Sequence, residues 1–384
     1  MIKKIFDYID MHYEEYVKFL ENICSFETTA WDKEEIDNML NYIEDFALAR
    51  GFCIDRIPFE ACGDFLVIDI NKNEEKGNVL LAHTDTVHKN GAFGYPCVEI
   101  KEDIMQGPGV IDCKGGIAIA LLAMEALSNY GLKQHTRLIL TSDEEISNVL
   151  GGEKEQKFFK EAIKGFKSAL NCEVTKDNQI VVSRKGILRQ KIEIVGKSGH
   201  SGIDYFTSTS AVLEAAKKIV KLESESEVGG ITYNCAIING GSVANIVPDE
   251  CSFTVDVRVV NHEDMKKAEA FVREVAMTSY VPGTTATVTT ISSRPPMLRN
   301  KETQMLFDKF YEVSTKYGLG ELEAVESGGG SDSAYTQIAG VPSLCGLGGS
   351  GDLCHTNKEY IRITSIPQRA KLLAAFCVEQ EESK

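Results

Sequence analysis

Residues 80–87 read LLAHTDTV, and the apolar run Val79–Ala82 ends in His83, with Asp85 two places further on. A short continuous apolar run reads as a strand buried on both faces, the kind found in parallel sheets covered by helices. The end of that strand admits two readings. Residues i and i+2 of an extended chain share one side, so His83 and Asp85 could simply hydrogen-bond to each other. Alternatively, His83 is a metal ligand, and these eight residues alone do not choose.

Working outward, the segments around this strand alternate between helical and extended patterns. Helices are expected over Ile5–Cys24 and Lys33–Arg50, the second stopping at Gly51 as helices commonly do. Strands are expected at Phe65–Ile70 and Val79–Ala82, followed by an apolar helix in GGIAIALLAMEALSNYG. The stretches TRLILTSDEE and KSALNCEVT each give a short apolar strand ending in acid. This alternation predicts an α/β domain with a mostly parallel sheet. Beyond Gly186 the pattern changes to strand, helix, strand, strand, helix, strand over residues 187–294. That βαββαβ order describes a small domain of its own, inserted into a catalytic domain made of 1–186 and 295–384.

A chain of 384 residues exceeds a typical single core, which agrees with two domains. Its formal net charge of −16 argues against nucleic acid or an anionic membrane as partner, and no apolar stretch has the length of a membrane span. The opening MIKKIFDYIDMHYEEYVKFL carries acids within an amphipathic pattern and reads as a first helix, not a signal peptide. Eleven scattered cysteines without a C-x-x-C pair fit reduced thiols and a cytoplasmic protein.

The ending of LLAHTDTV recurs. GPGVIDCKGG places Asp112 in a glycine-bounded loop before a helix, LILTSDEE delivers Glu144 and Glu145, SALNCE delivers Glu173, and DLCHTNKEY supplies His355. Each has a plain alternative: Asp112 as a helix N-cap, the glutamates as a solvated acidic turn. Together, five segments aim His, Asp or Glu at the carboxyl edge of one sheet, where α/β folds bind ligands. Carboxylates so gathered repel unless a cation lies between them, and imidazole with carboxylate suits zinc. The pair Glu144–Glu145 offers one ligand and one free base.

In HTDTV, GPGVIDCKGG, SDEE, NCEVT and CHTNKEY, in this order, the chain resembles the dinuclear-zinc peptidase and deacylase family. That family includes glutamate carboxypeptidase, acetylornithine deacetylase, succinyl-diaminopimelate desuccinylase and peptidase T. The resemblance implies two zinc ions, replaceable by cobalt or manganese: His83 and Glu173 on one, Glu145 and His355 on the other, Asp112 bridging. It implies that Asp85 orients His83, that Glu144 is the general base, and that the insert is a lid and dimerisation domain. His200 in GKSGHSG falls where the family's lid histidine, acting across a homodimer, supplies an oxyanion donor. Asn245 in ANIVPD matches a lid motif, and SGGGSDSA, with Gly329 and Ser331, resembles a substrate-side glycine loop. Arg258 and Arg294 are candidates for gripping a substrate carboxylate. His12, His88, His135 and His262 read as surface residues. Cys113, Cys172 and Cys354 each neighbour a proposed ligand and are expected to face the core, because adjacent residues of extended chain point oppositely.

Glu173 and the DCKGG run resemble the carboxypeptidase and deacylase branch, acting on small peptides or N-acyl amino acids. HTDTV lacks a following proline, which leaves an aminopeptidase as the alternative. A non-catalytic metal-binding scaffold is the reading from another class, and it would have no need of Glu144.

Overall fold

The strand anticipated at 79–82 extends over Lys76–His83 in a computed structural model that describes residues 1–382. It lies inside a six-stranded sheet ordered Cys53–Ile57, Phe65–Ile70, His135–Thr141, Lys76–His83, Ser168–Asn171, Ser343–Leu344. The last four strands are mutually parallel, and Phe65–Ile70 is antiparallel to both its neighbours. Alternation along Val79–Ala82 explains the unbroken apolar run. Leu80 and Ala82 pack with the helices Ile2–Cys24, Lys33–Leu48, Gly115–Asn129 and Ser365–Glu382. Val79 and Leu81 pack on the opposite face with Phe159, Phe166 and Tyr335. Helices cover both faces, so the middle of the strand, Val79–Ala82, is apolar at every position.

Helix Gly115–Asn129 is apolar all round because nearly all of it is buried. Its second residue has to be glycine: a Cβ on Gly116 would lie 2.0 Å from the carbonyl oxygen of Cys172. That contact seats the helix start directly against the segment bearing Glu173. No helix among the described residues is long and apolar enough to cross a membrane.

The chain divides into two compact units: Met1–Ser183, Arg299–Glu326 and the chain from Ser331 on, and Arg184–Leu298 with Ser327–Gly330. The second has an antiparallel sheet ordered Thr232–Gly240, Glu250–Val259, Gly186–Val195, Thr285–Arg294. Helices Ala211–Glu223 and His262–Met277 complete the βαββαβ order. Strand Glu250–Val259 buries alternate residues Cys251, Phe253, Val255, Val257 and Val259 against these helices, as a sheet covered on one face requires. Ser210 and Asn261 cap the helices, accepting from the amides of Leu213 and Asp264.

Buried between the two lid helices, Lys218 donates to the carbonyls of Val275 and Ala276 at 2.8 and 2.9 Å and pairs with Glu214 at 2.7 Å. Both side chains are 1% exposed. Removing one partner strands a buried charge and costs about 3–5 kcal/mol, whereas replacing both with apolar groups costs far less. Lys218→Met should therefore lower the urea midpoint of lid unfolding strongly, and Glu214→Leu/Lys218→Met should recover most of it. Equal destabilisation by the single and double variants would contradict this account.

Candidate metal centre

Strand Lys76–His83 delivers His83 with its side chain 2% exposed. Its Nδ1 lies 3.0 Å from the Asp85 carbonyl oxygen and 3.4 Å from the Asp85 carboxylate, which turns Nε2 inward. Nε2 is 3.1 Å from Asp112 Oδ1 and 3.8 Å from Glu173 Oε1. The other Asp112 oxygen, Oδ2, is 3.2 Å from His355 Nε2, which also lies 3.3 Å from Glu145 Oε2. One carboxylate thus faces two imidazoles, one through each oxygen.

Asp112 is not an N-cap. It lies within the tight turn Val110–Lys114 that precedes the helix, with non-helical φ −121° and ψ 83°. Two residues on, fully buried Lys114 donates to the Phe26 carbonyl at 2.7 Å and anchors the turn. Glu144 and Glu145 both point into the site because the chain turns there instead of continuing the strand. Asp85 holds that turn, its carboxylate accepting from the amides of Glu144 and Glu145 at 3.2 and 2.9 Å. This second role for Asp85 was invisible in the sequence, which tied it to His83 alone. His355 sits at φ 63°, a left-handed conformation uncommon for residues other than glycine and typical of functional sites. With its side chain 56% exposed, against 2% for His83, His355 marks the open side of the site.

Two groups could each hold a cation: His83, Glu144 and Glu173, and His83, Asp112 and Glu145, the donor atoms in each lying within 4.8 Å of one another. The donor chemistry fits two zinc ions: imidazole and carboxylate only, with the inward nitrogen of His83 set by the hydrogen bond from its Nδ1 to Asp85. No cysteine joins either group. Cys113 and Cys172 are fully buried, and the Cys113 thiol donates to the Cys172 carbonyl.

Without a cation the cluster keeps protons. Burial, followed by the charge of Asp112, pushes Glu145 up to about 8. Hydrogen bonds to Asp112 and Glu145 hold the His355 imidazolium up to about 11. Ligation needs His355 neutral and Glu145 ionised, so cations compete with protons for these two groups. Zinc affinity should accordingly rise with pH, and binding should release protons. Calorimetry in two buffers of different ionisation enthalpy measures this; a buffer-independent heat would contradict it.

His200 and Asn245 belong to the second unit and come together there: Gly199–His200 pairs with Ile246–Val247, and Ser201 N donates to the Asn245 carbonyl at 2.9 Å. Both are exposed. Arg258 forks onto Asp256 at 2.6 and 3.2 Å, so much of its donor capacity is engaged within the unit. Arg294 is 2% exposed, and a Cβ on Gly330 would lie 3.0 Å from its Cδ. The Gly329 amide donates to Ser327 Oγ, and its loop is held by Arg184, whose guanidinium donates to the Gly330 carbonyl at 3.0 Å. Ser331 is fully buried, its hydroxyl bonded to Ser333 and lying 3.5 Å from Asn171 and Cys345, and it does not reach solvent.

Two histidines expected on the surface are buried. His135 opens an interior strand and bonds to Asp69 at 2.8 Å, beside Arg137 on the same carboxylate. His88 is 8% exposed and lies 2.6 Å from Glu359. Their partners are 66 and 271 residues away, so no local pattern announces them. Asp143 was likewise missed: it accepts from the amides of Leu150 and Gly151, and burial raises it to about 6.

Comparison with known proteins accords with this geometry. The chain is 28% identical over 371 residues to carboxypeptidase G2 of Pseudomonas sp. (strain RS-16), covering 94% of this chain and 88% of that protein. It is 29% identical over 245 residues to acetylornithine deacetylase of Myxococcus xanthus, covering 58% and 61%. Its fold matches the aminopeptidase PepT of Bacillus cereus ATCC 10987 with a TM-score of 0.77 at 20% identity, covering 97% and 99%. The family model described as peptidase family M20/M25/M40 matches residues 79–379, which include all five His, Asp and Glu side chains gathered around Asp112. The chain therefore belongs to peptidase family M20/M25/M40 and is a metal-dependent hydrolase.

Proposed function

We propose that this hydrolase is a carboxypeptidase or N-acyl-amino-acid amidohydrolase, cleaving the amide of a small substrate that bears a free carboxylate. The hydrolytic part of this reading rests on the arrangement around Asp112: two histidine nitrogens on its two oxygens, with Glu173, Glu145 and Glu144 close by. In this reading His83 and Glu173 would hold one zinc, Glu145 and His355 the other, and Asp112 would serve both. Bound zinc supplies Lewis acidity and an acidified water. Glu144 takes the proton from the attacking water and returns it to the departing amine. Asp85 keeps Glu144 in place by accepting a hydrogen bond from its backbone N–H, and His200 donates to the developing oxyanion. Asn245 and the loop at Gly329 are the candidates for holding the substrate's carboxylate end, whereas Arg294 is buried. One relative, matched over 94% of this chain, is a carboxypeptidase, and another is a deacetylase, which supports this branch. The fold likeness to an aminopeptidase keeps the alternative in view.

Activity on a panel separates the two. Dipeptides with a blocked amine and a free carboxylate, and N-acyl amino acids, should be hydrolysed by the zinc-loaded enzyme. Tripeptides with a free amine and an amidated carboxyl end should not. The reverse preference would assign an aminopeptidase.

The protein is further proposed to act as a cytoplasmic homodimer, a reading supported by its eleven free cysteines and by exposed apolar residues of the lid. Leu213 and Val220 on helix Ala211–Glu223, and Ile237 and Ile238 on the edge strand Thr232–Gly240, are 47–69% exposed, and a twin would cover them. His200 then acts on the partner's site. Co-expressing inactive His200→Ala with inactive Glu144→Gln should restore activity, because each heterodimer assembles one complete site. Purified heterodimers without activity would remove the assignment across subunits.

A further inference from the structure

Glu359 is 1% exposed, and both its oxygens are engaged. Oε1 accepts from the amides of Ile111 and Asp112 at 3.0 and 3.1 Å. His88 Nε2 donates to Oε2 at 2.6 Å, and the His88 ring is packed edge-on against Phe93. The locations of these partners matter. His88 lies five residues beyond His83, on the segment that leaves the strand. Glu359 follows His355 by four residues and immediately precedes the strand Tyr360–Arg362. Ile111 and Asp112 belong to the turn that carries the shared carboxylate. A single buried carboxylate therefore ties together three separate segments, each bearing one of the three residues His83, Asp112 and His355.

We infer that the His88–Glu359 pair is a positioning device for the bridging carboxylate, setting the distance between the two metal positions. The inference rests on the reading of Asp112 as the ligand shared by two ions. Neither residue touches the cluster's donor atoms. Glu359 acts on the backbone of Asp112, and His88 acts on Glu359, fixing which way its carboxylate turns. The physical basis is general: outer partners that orient ligands typically contribute 10–100-fold in metal affinity or activity. A backbone amide held by a buried carboxylate is a strong, charge-assisted bond. Without it, the turn at 110–114 can rotate and present Asp112 to one ion instead of two.

The test uses the full-length enzyme titrated with cobalt(II), whose visible absorption reports each binding event and whose electron paramagnetic resonance reports coupling between two bridged ions. Wild type should take two equivalents and show coupling. His88→Ala and Glu359→Gln should each weaken the second equivalent about 10–100-fold and reduce coupling, with kcat lowered and KM little changed. The double variant should add little to either single change, since both cut one chain of contacts. His88→Gln, which still donates, should recover much of the second affinity. Thermal melting runs alongside: a variant that melts earlier yet binds two coupled ions with wild-type affinity shows a purely structural role and overturns the inference. If Glu359→Gln fails to fold, His88→Ala alone decides, by the same criterion. Asp112→Asn serves as the reference. If it too keeps two coupled ions, the shared-ligand reading has failed; if it uncouples them while His88→Ala does not, only the positioning role has failed.

Discussion

Glu144→Gln should leave both zinc ions bound and reduce turnover by about two to four orders of magnitude, the usual contribution of a positioned general base. The amide is nearly isosteric and keeps the turn intact, because the carboxylate of Asp85 accepts from the backbone of Glu144, not from its side chain. What disappears is the capacity to take a proton from water. Metal content by mass spectrometry, measured beside kcat, makes the result decisive. The Glu144 carboxylate lies close to His83 and Glu173, so ligation is a concrete competing role. A parallel loss of zinc and activity would make Glu144 a ligand and transfer the base elsewhere.

Asp112→Ala should instead remove metal first and activity as a consequence. Both of its oxygens face imidazoles, Oδ1 that of His83 at 3.1 Å and Oδ2 that of His355 at 3.2 Å. Deleting the carboxylate leaves two positive ions, if bound, with nothing shared between them, and their mutual repulsion in a buried site is costly. Zinc content after gel filtration should fall from two per chain to one or none, with turnover falling at least as far as in Glu144→Gln. Two retained equivalents would show that the ions do not depend on Asp112.

The local patterns were strong where local physics dominates. The run at 79–82 had to be apolar because helices cover both faces of the sheet, and so it stood out. The βαββαβ order of the second unit was equally plain. Strand Glu250–Val259 alternates with period two, and the helices carry one-sided apolar stripes with capping residues at Ser210 and Asn261. The helices Gly152–Ala162 and Ser365–Glu382 were not anticipated. The second buries most of its circumference, which blurs the one-sided stripe by which a helix is recognised.

The sequence by itself determined the α/β architecture with its insert, the types of residue that the site would use, and the class of chemistry that they support. His, Asp and Glu in five separate segments, aimed at one edge of the sheet, pointed to a cation between them. Tertiary structure alone decided which atoms meet. It assigned each oxygen of Asp112 to a different histidine and turned Glu144 and Glu145 to the same side. It gave Asp85 two amides to hold, placed Ser331 in the core, and buried His88 against Glu359 across 271 residues of chain. The reason is physical. Periodicity and propensity are set by neighbours a few residues apart, whereas hydrogen-bond partners and burial depend on segments that meet only once the sheet has formed.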